Sequence, residues 1–259
     1  MNIQRVFVIA QNVFREVIRD RILYLIGFFA VILIIISLLL PQVAANTEDK
    51  MLLDVGIAGI AIAGLVTAVF VGTGLINKEI EKRTVFVLIA KPISRVEFIV
   101  GKHLGLTAVL AVLVAAMTVI YFGVLSVNQV TYPMGSLVVA SVYTLLELSL
   151  VTAIAILFGV FTSSLLSTIL TFAMYVMGHL SPDLVKLAEL AENPALEQLT
   201  ENMYLVLPDL SRLNLRNVAV YGSELMPSPI ELLSSGVYGI AYIVLLLTIA
   251  NLIFSRRQF

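Results

Sequence analysis

Apolar positions along the chain gather into six stretches, Ile22–Leu40, Leu52–Ile76, Leu104–Val127, Ser136–Phe161, Ser164–Leu180 and Leu232–Phe254. Each is 17–26 residues long, close to the ~20 residues a helix needs to cross a bilayer core. One helix across residues 136–180 would be about 67 Å long, so Thr162–Ser163 is predicted to turn a hairpin between two spans. All eight prolines fall outside the six stretches. Proline lacks an amide hydrogen and clashes with the preceding turn, so these positions predict helix ends. Gly56, Gly59, Gly64, Gly72 and Gly74 crowd the second stretch and predict close helix packing there. The pattern predicts an all-α membrane protein with six transmembrane helices.

The segments between the spans carry their own patterns. In residues 3–21, Ile3, Val6, Phe7, Ala10, Val13, Phe14, Val17 and Ile18 repeat on one helical face. Gln4, Gln11, Asn12, Arg15, Arg19 and Asp20 fall largely on the other. This predicts an amphipathic helix in the membrane interface that turns sharply into the first span. It serves either as a topology anchor or as an elbow that seats a partner. The loop 77–103 has 27 residues, several times what a plain connector needs. It begins charged, becomes apolar over Val85–Ala90 and stops at Lys91-Pro92. Ser94-Arg95-Val96-Glu97 is a capping box that starts a helix running into the third span. The 51-residue loop 181–231 predicts a helical cap. Ser181-Pro182 reads as an N-cap with proline in the first helical position, and Asn193-Pro194 separates a second short helix. Residues 203–217 are apolar enough to pack on the bundle, and Ser228–Glu231 is a second capping box.

Composition and charge narrow the picture. Hydrophobic residues make up 60% of the chain and charged residues 13%, and the mean hydropathy is +1.04. A soluble domain is about half apolar and a quarter charged, so a water-soluble enzyme and a disordered chain are both excluded. The net charge of −1 offers nothing to nucleic acid, and there is no cysteine for disulfides or thiolate metal sites. Twelve Lys and Arg fall on one side of the predicted topology, including Arg5, Arg15, Lys78, Lys102 and Arg256. Four, Lys50, Lys186, Arg212 and Arg216, fall on the other. The positive-inside rule then places both termini in the cytoplasm of a plasma (inner) membrane protein. Val43-Ala44-Ala45 is weakly cleavage-like. The apolar core before it exceeds the 7–15 residues of a signal peptide, so the first span reads as a retained helix.

Little in the chain supports chemistry. A P-loop needs a glycine five residues before Gly-Lys-Ser/Thr. The only Gly-Lys is Gly101-Lys102, with Val96 upstream and His103 after it. No span holds a lysine, and Asp54 and Glu147 are the only acids within spans. Glu147 is the one deep charge and a functional candidate by default. Tyr143 or Thr144 could donate to it. It could equally face the fifth span, where Ser164, Thr168, Thr171, Tyr175 and His179 recur at helical spacing. That stripe lines either a translocation pathway or a helix–helix seam.

Glu79-x-Glu81-x-Arg83-Thr84, then Leu88-x-x-Lys91-Pro92-Ile93-Ser94-Arg95, then Gly101-Lys102 resembles the coupling-helix segment of ABC-2-type transporter permeases. Phe14-Arg15-Glu16-x-x-Arg19-Asp20-Arg21 resembles the elbow of the same family, and the resemblance covers nearly the whole chain. It implies a single ABC-2-type transmembrane domain over residues 1–259. The cytoplasmic coupling helix between spans two and three would contact an ATPase through Glu79, Glu81, Arg83, Thr84, Lys91 and Arg95. The elbow residues would be Arg15, Glu16, Arg19 and Asp20, with Glu147, Ser164, Thr168, Thr171 and Tyr175 as the possible pathway lining. The resemblance further implies a second permease copy or paralogue, two separate ATPase subunits holding ATP and Mg, and contact with membrane lipid. No cofactor or metal is expected on this chain, which would not itself be an enzyme. Export is the family's usual direction. The alternatives are an ion-coupled secondary transporter or channel using Glu147, and an accessory membrane scaffold.

Overall fold

The computed structural model describes residues 2–43, 47–81, 94–191 and 193–256. Six helices in it are long and apolar enough to cross a membrane. They are α2 (Leu23–Val43), α3 (Glu48–Glu81), α4 (Arg95–Val127), α5 (Met134–Phe161), α6 (Ser164–Leu190) and α9 (Pro229–Arg256). Helix α1 (Ile3–Val17) precedes them, and the shorter α7 (Pro194–Val206) and α8 (Arg216–Val220) lie between α6 and α9. No strand occurs among the described residues.

Helix starts follow local chemistry. Ser94 accepts from the Glu97 amide at 3.2 Å while Glu97 accepts from the Ser94 amide at 3.0 Å, so two amides at the start of α4 are satisfied reciprocally. Ser228 and Glu231 repeat the arrangement at α9, at 3.4 and 2.9 Å. Asn193 accepts from the amides of Ala195 and Leu196 and starts α7, with Pro194 in its first turn. The hairpin joint at Thr162–Ser163 separates α5 from α6.

The core is built around α5. It packs against α3, α4, α6, α8 and α9, and Leu148, Leu150, Val151, Ala153, Ile154 and Ala155 are buried. Small residues on α3 make the closest approach possible. A Cβ on Gly64 would stand 2.3 Å from a methyl of Leu148, and one on Gly72 would stand 2.9 Å from the Ala155 Cβ. Without a hydrophobic drive between helices in lipid, such backbone proximity supplies the packing attraction.

Three expectations are corrected. Pro41 lies inside α2 and Pro182 inside α6, and Ser181 does not start a helix: it is buried and its hydroxyl has no partner among the described residues. Helix α6 runs on to Leu190 because it remains packed, with Ala188 buried and α7 alongside. Neighbouring helices can keep a proline-containing membrane helix intact in this way. The junction of α1 and α2 is one π-helical turn, Ile18–Ile22, so the chain stays helical where a sharp turn was expected. The apolar stretch Val85–Ala90 lies outside the described residues.

The start of α4 meets both α1 and the end of α9 at one end of the bundle, called the basal end below. There Phe98 and Phe254 stack with ring centroids 5.9 Å apart. The segments joining α2 to α3, α4 to α5 and α6 to α9 mark the opposite, distal end.

Candidate functional site

Two places combine charge with burial, one deep in the distal half and one at the basal end. The first is centred on Glu147. Helix α5 carries it 13 residues after Met134 and 14 before Phe161, so it sits at mid-height, with no exposure to solvent. Its Oε1 lies 3.4 Å from Arg216 Nη2 and 3.3 Å from His179 Nε2. The His179 approach is off-line for a hydrogen bond, and Glu147 Oε2 has no partner among the described residues.

Arg216 is the side chain the sequence reading missed. In the sequence it is one of four cations on the less basic side, 69 positions from the acid it meets. The connecting segment delivers it to mid-height because Leu210, Leu213 and Leu215 bury among the spans. Gly178 on α6 leaves room for this segment: a Cβ there would be 2.7 Å from the Pro208 carbonyl oxygen. Asn214 accepts from Arg216 Nε at 2.8 Å and from its amide at 3.3 Å, which aims the guanidinium inward. The signal available in the sequence was an arginine set within a leucine-rich run opposite a span holding one unpaired acid.

His179 Nδ1 lies 3.0 Å from the Tyr175 carbonyl, which only accepts, so Nδ1 carries hydrogen and Nε2 is the ring nitrogen turned toward Glu147. Beside the cluster, a cavity of about 350 Å³ is lined by Asp54, Ile57, Ala58, Arg216, Asn217 and Tyr221. Above it, Arg212 Nε donates to Asp209 at 3.0 Å and Nη2 to Tyr204 at 3.0 Å. The Tyr204 and Asp209 contacts raise the Arg212 pKa above its ordinary value.

The fifth-span stripe faces inward. Thr168 pairs with Thr73 of α3 at 3.2 Å, and Thr171 is buried and bonds back to the Ser167 carbonyl at 2.7 Å. Ser164 is half-buried and accepts from Thr168 through its carbonyl at 2.9 Å. Tyr175 stacks obliquely on His179, with centroids 4.5 Å apart. Tyr143 donates instead to the Leu232 carbonyl, so it is not the Glu147 partner.

At the basal end, Lys102 Nζ meets Glu79 Oε1 at 2.9 Å and ties the end of α3 to α4. Glu97 accepts from the Asn2 amide at 2.6 Å, with Arg5 Nη1 4.0 Å away, so it fastens the start of α1. Along that contact a Cβ on Gly105 would stand 2.7 Å from the Ala10 carbonyl oxygen. Arg95 Nη1 donates to the carbonyls of Phe254 at 2.6 Å and Ser255 at 2.5 Å, cations at a helix C-terminus being favourable. Arg15, Glu16 and Arg19 are exposed on and just after α1. The side chains of Asp20 and Glu81, and all of Arg83, Thr84 and Lys91, lie outside the described residues.

Six membrane-length helices, enclosing one deep ion cluster and carrying an amphipathic helix fastened to their basal end, define a multi-pass membrane protein. Residues 7–259 match the model of the ABC-2 family transporter proteins, and the chain belongs to that family. It is the membrane-spanning permease component of an ABC transporter. Among curated proteins, none matches it.

Proposed function

We propose that this permease forms the translocation pathway of an exporter together with a second copy or a paralogue, driven by two separate ATPase subunits. ATP and Mg would be held by those subunits. The basal end would lie in the cytoplasm, with both termini, and the protein would reside in the plasma (inner) membrane. Residues 77–103 would form the ATPase contact, with Glu79, Glu81, Arg83, Thr84, Lys91 and Arg95 as its charged face. Arg15, Glu16, Arg19 and Asp20 would flank it.

The observation that carries this reading is the basal clamp. Asn2–Glu97, Glu79–Lys102 and Arg95 on the end of α9 join four helices at the two edges of one charged loop. A displacement of that loop is therefore delivered to α1, α3, α4 and α9 together. At the distal end the segment around Arg216 would act as the lid. The engagement of Glu147 with Arg216 and His179 favours a structural pin over an ion path. Co-purification of the ATPase subunits tests the partnership. Glu81→Arg combined with Arg83→Glu is expected to release them and to uncouple ATP hydrolysis. Unchanged assembly and coupling would refute it.

A further inference from the structure

Helices α4 and α9 are held together at the basal end, by the Phe98–Phe254 stack and by Arg95. Just above, they leave a cavity of about 460 Å³ lined by Val100, His103, Leu104, Val244, Thr248 and Asn251, among others. Its walls are mostly apolar, and Leu104 and Val244 also remain exposed on the outside of the bundle.

Its polar groups are unequally provided for. Thr248 donates to the Val244 carbonyl at 2.7 Å. His103 Nε2 lies 3.0 Å from the Ser149 carbonyl. Asn251 Oδ1 is buried and has no hydrogen-bond partner among the described residues. An amide oxygen left unpaired in apolar surroundings is costly, and a polar side chain at membrane depth points to a function. Since the two ends of the amide are interchangeable by a flip, the group calls for a ligand that donates or accepts.

The position of the cavity identifies that ligand. Asn251 lies five residues before Arg256, about 7.5 Å along the helix. The lining from Ile243 to Asn251 runs about 12 Å. Arg95 and Arg256 are both exposed at the basal rim. Among the described residues only Nη1 of Arg95 makes hydrogen bonds in the clamp, while its guanidinium lies over the Phe254 ring, which leaves Nε and Nη2 to donate. A cationic rim, then an amide, then an apolar channel repeats the order of phosphate, glycerol ester and acyl chain in a phospholipid. We propose that this cavity binds an anionic phospholipid of the leaflet at the basal end. Its phosphate lies at Arg95 and Arg256, its glycerol region at Asn251 and one acyl chain between α4 and α9. Arg95 is shared with the proposed ATPase contact, and the test below reads lipid binding to this chain alone.

The test uses the full chain, purified and stripped of lipid, then titrated with phosphatidylglycerol or phosphatidylcholine in detergent. Native mass spectrometry reads retained lipid, and thermal melting reads stability. The wild type is expected to retain phosphatidylglycerol in preference to phosphatidylcholine and to melt higher with it. Val244→Trp, an outward-facing position whose enlargement fills the channel, is expected to lower retention roughly tenfold. Asn251→Leu is expected to lower retention to a similar degree while raising the lipid-free melting temperature, because it removes the unpaired amide. Retention that is unchanged in both variants, or equal for the two lipids, overturns the proposal. So does a lower lipid-free melting temperature for Asn251→Leu, which would mean that a second copy or another protein helix partners the amide.

Discussion

Replacing Arg216 with methionine isolates what the deep ion cluster does. Glu147 is fully buried, and the Arg216 side chain is 12% exposed. The substitution leaves the Glu147 carboxyl with His179 as its remaining close neighbour and with Oε2 still unpartnered among the described residues. Breaking a buried pair by removing one member costs about 3–5 kcal/mol. The cavity beside Arg216 lets water relieve part of this, which places the cost near the lower bound. About 3 kcal/mol corresponds to a rise of roughly 150-fold in the population with the segment released. Hydrogen exchange of the full chain in lipid nanodiscs reads that population at the amides of Leu210–Val220. Those amides are expected to exchange about two orders of magnitude faster, while the amides of α5 above and below Glu147 keep their protection. Combining Glu147→Leu with Arg216→Met removes both charges and is expected to return most of the lost protection, since apolar replacement of a buried pair is often neutral or better. If the single variant exchanges within about fivefold of wild type, a difference of about 1 kcal/mol, the cluster does not pin the segment. A double variant as labile as the single one would refute the charge argument in another way, assigning the effect to shape.

Two further outcomes follow from contacts at opposite ends of the bundle. Glu97→Gln removes the charge that accepts the Asn2 and Ser94 amides, so exchange at the first turn of α1 is expected to rise several-fold without a change in α5. An unchanged first turn would show that the close approaches of Gly101 to Ile9 and of Gly105 to Ala10 hold α1 without it. Gly178→Ala places a methyl 2.7 Å from the Pro208 carbonyl and 2.9 Å from Leu210. The overlap is expected to cost about 1–3 kcal/mol, read as a lower melting temperature, and an unaltered melt would refute the close fit.

What could be read from the chain was mostly what is local. The capping boxes at Ser94 and Ser228 span four residues each, and both are present as expected. The six spans follow from bilayer thickness, which acts on every window alike. Helix ends were less legible. Pro182 argued for a break, but packing against α7 and the burial of Ala188 keep α6 intact, and tertiary contact outweighs a local preference. Glu147 was visible as an anomaly, and its meeting with the fifth span at His179 was one of the alternatives. Its principal partner was not legible: no period links positions 147 and 216, and only the burial of Leu210, Leu213 and Leu215 brings the arginine down to mid-height. Asn251 likewise is one polar residue in an apolar run of the sequence. It became informative once α4 was seen to leave a space beside it.

The contrast between α5 and α2 bears on how this chain tolerates change. The most apolar stretch of α5 is 78% buried, and that of α2 is 17% buried. Ala153 and Ala155 are enclosed on every side, so even one added methyl has nowhere to go. On α2, Leu38 and Leu39 are exposed on the outside of this chain. Over generations, drift is therefore expected to accumulate along α2 and to spare the inner helix, so that the outermost span diverges first while the axle of the molecule stands nearly still.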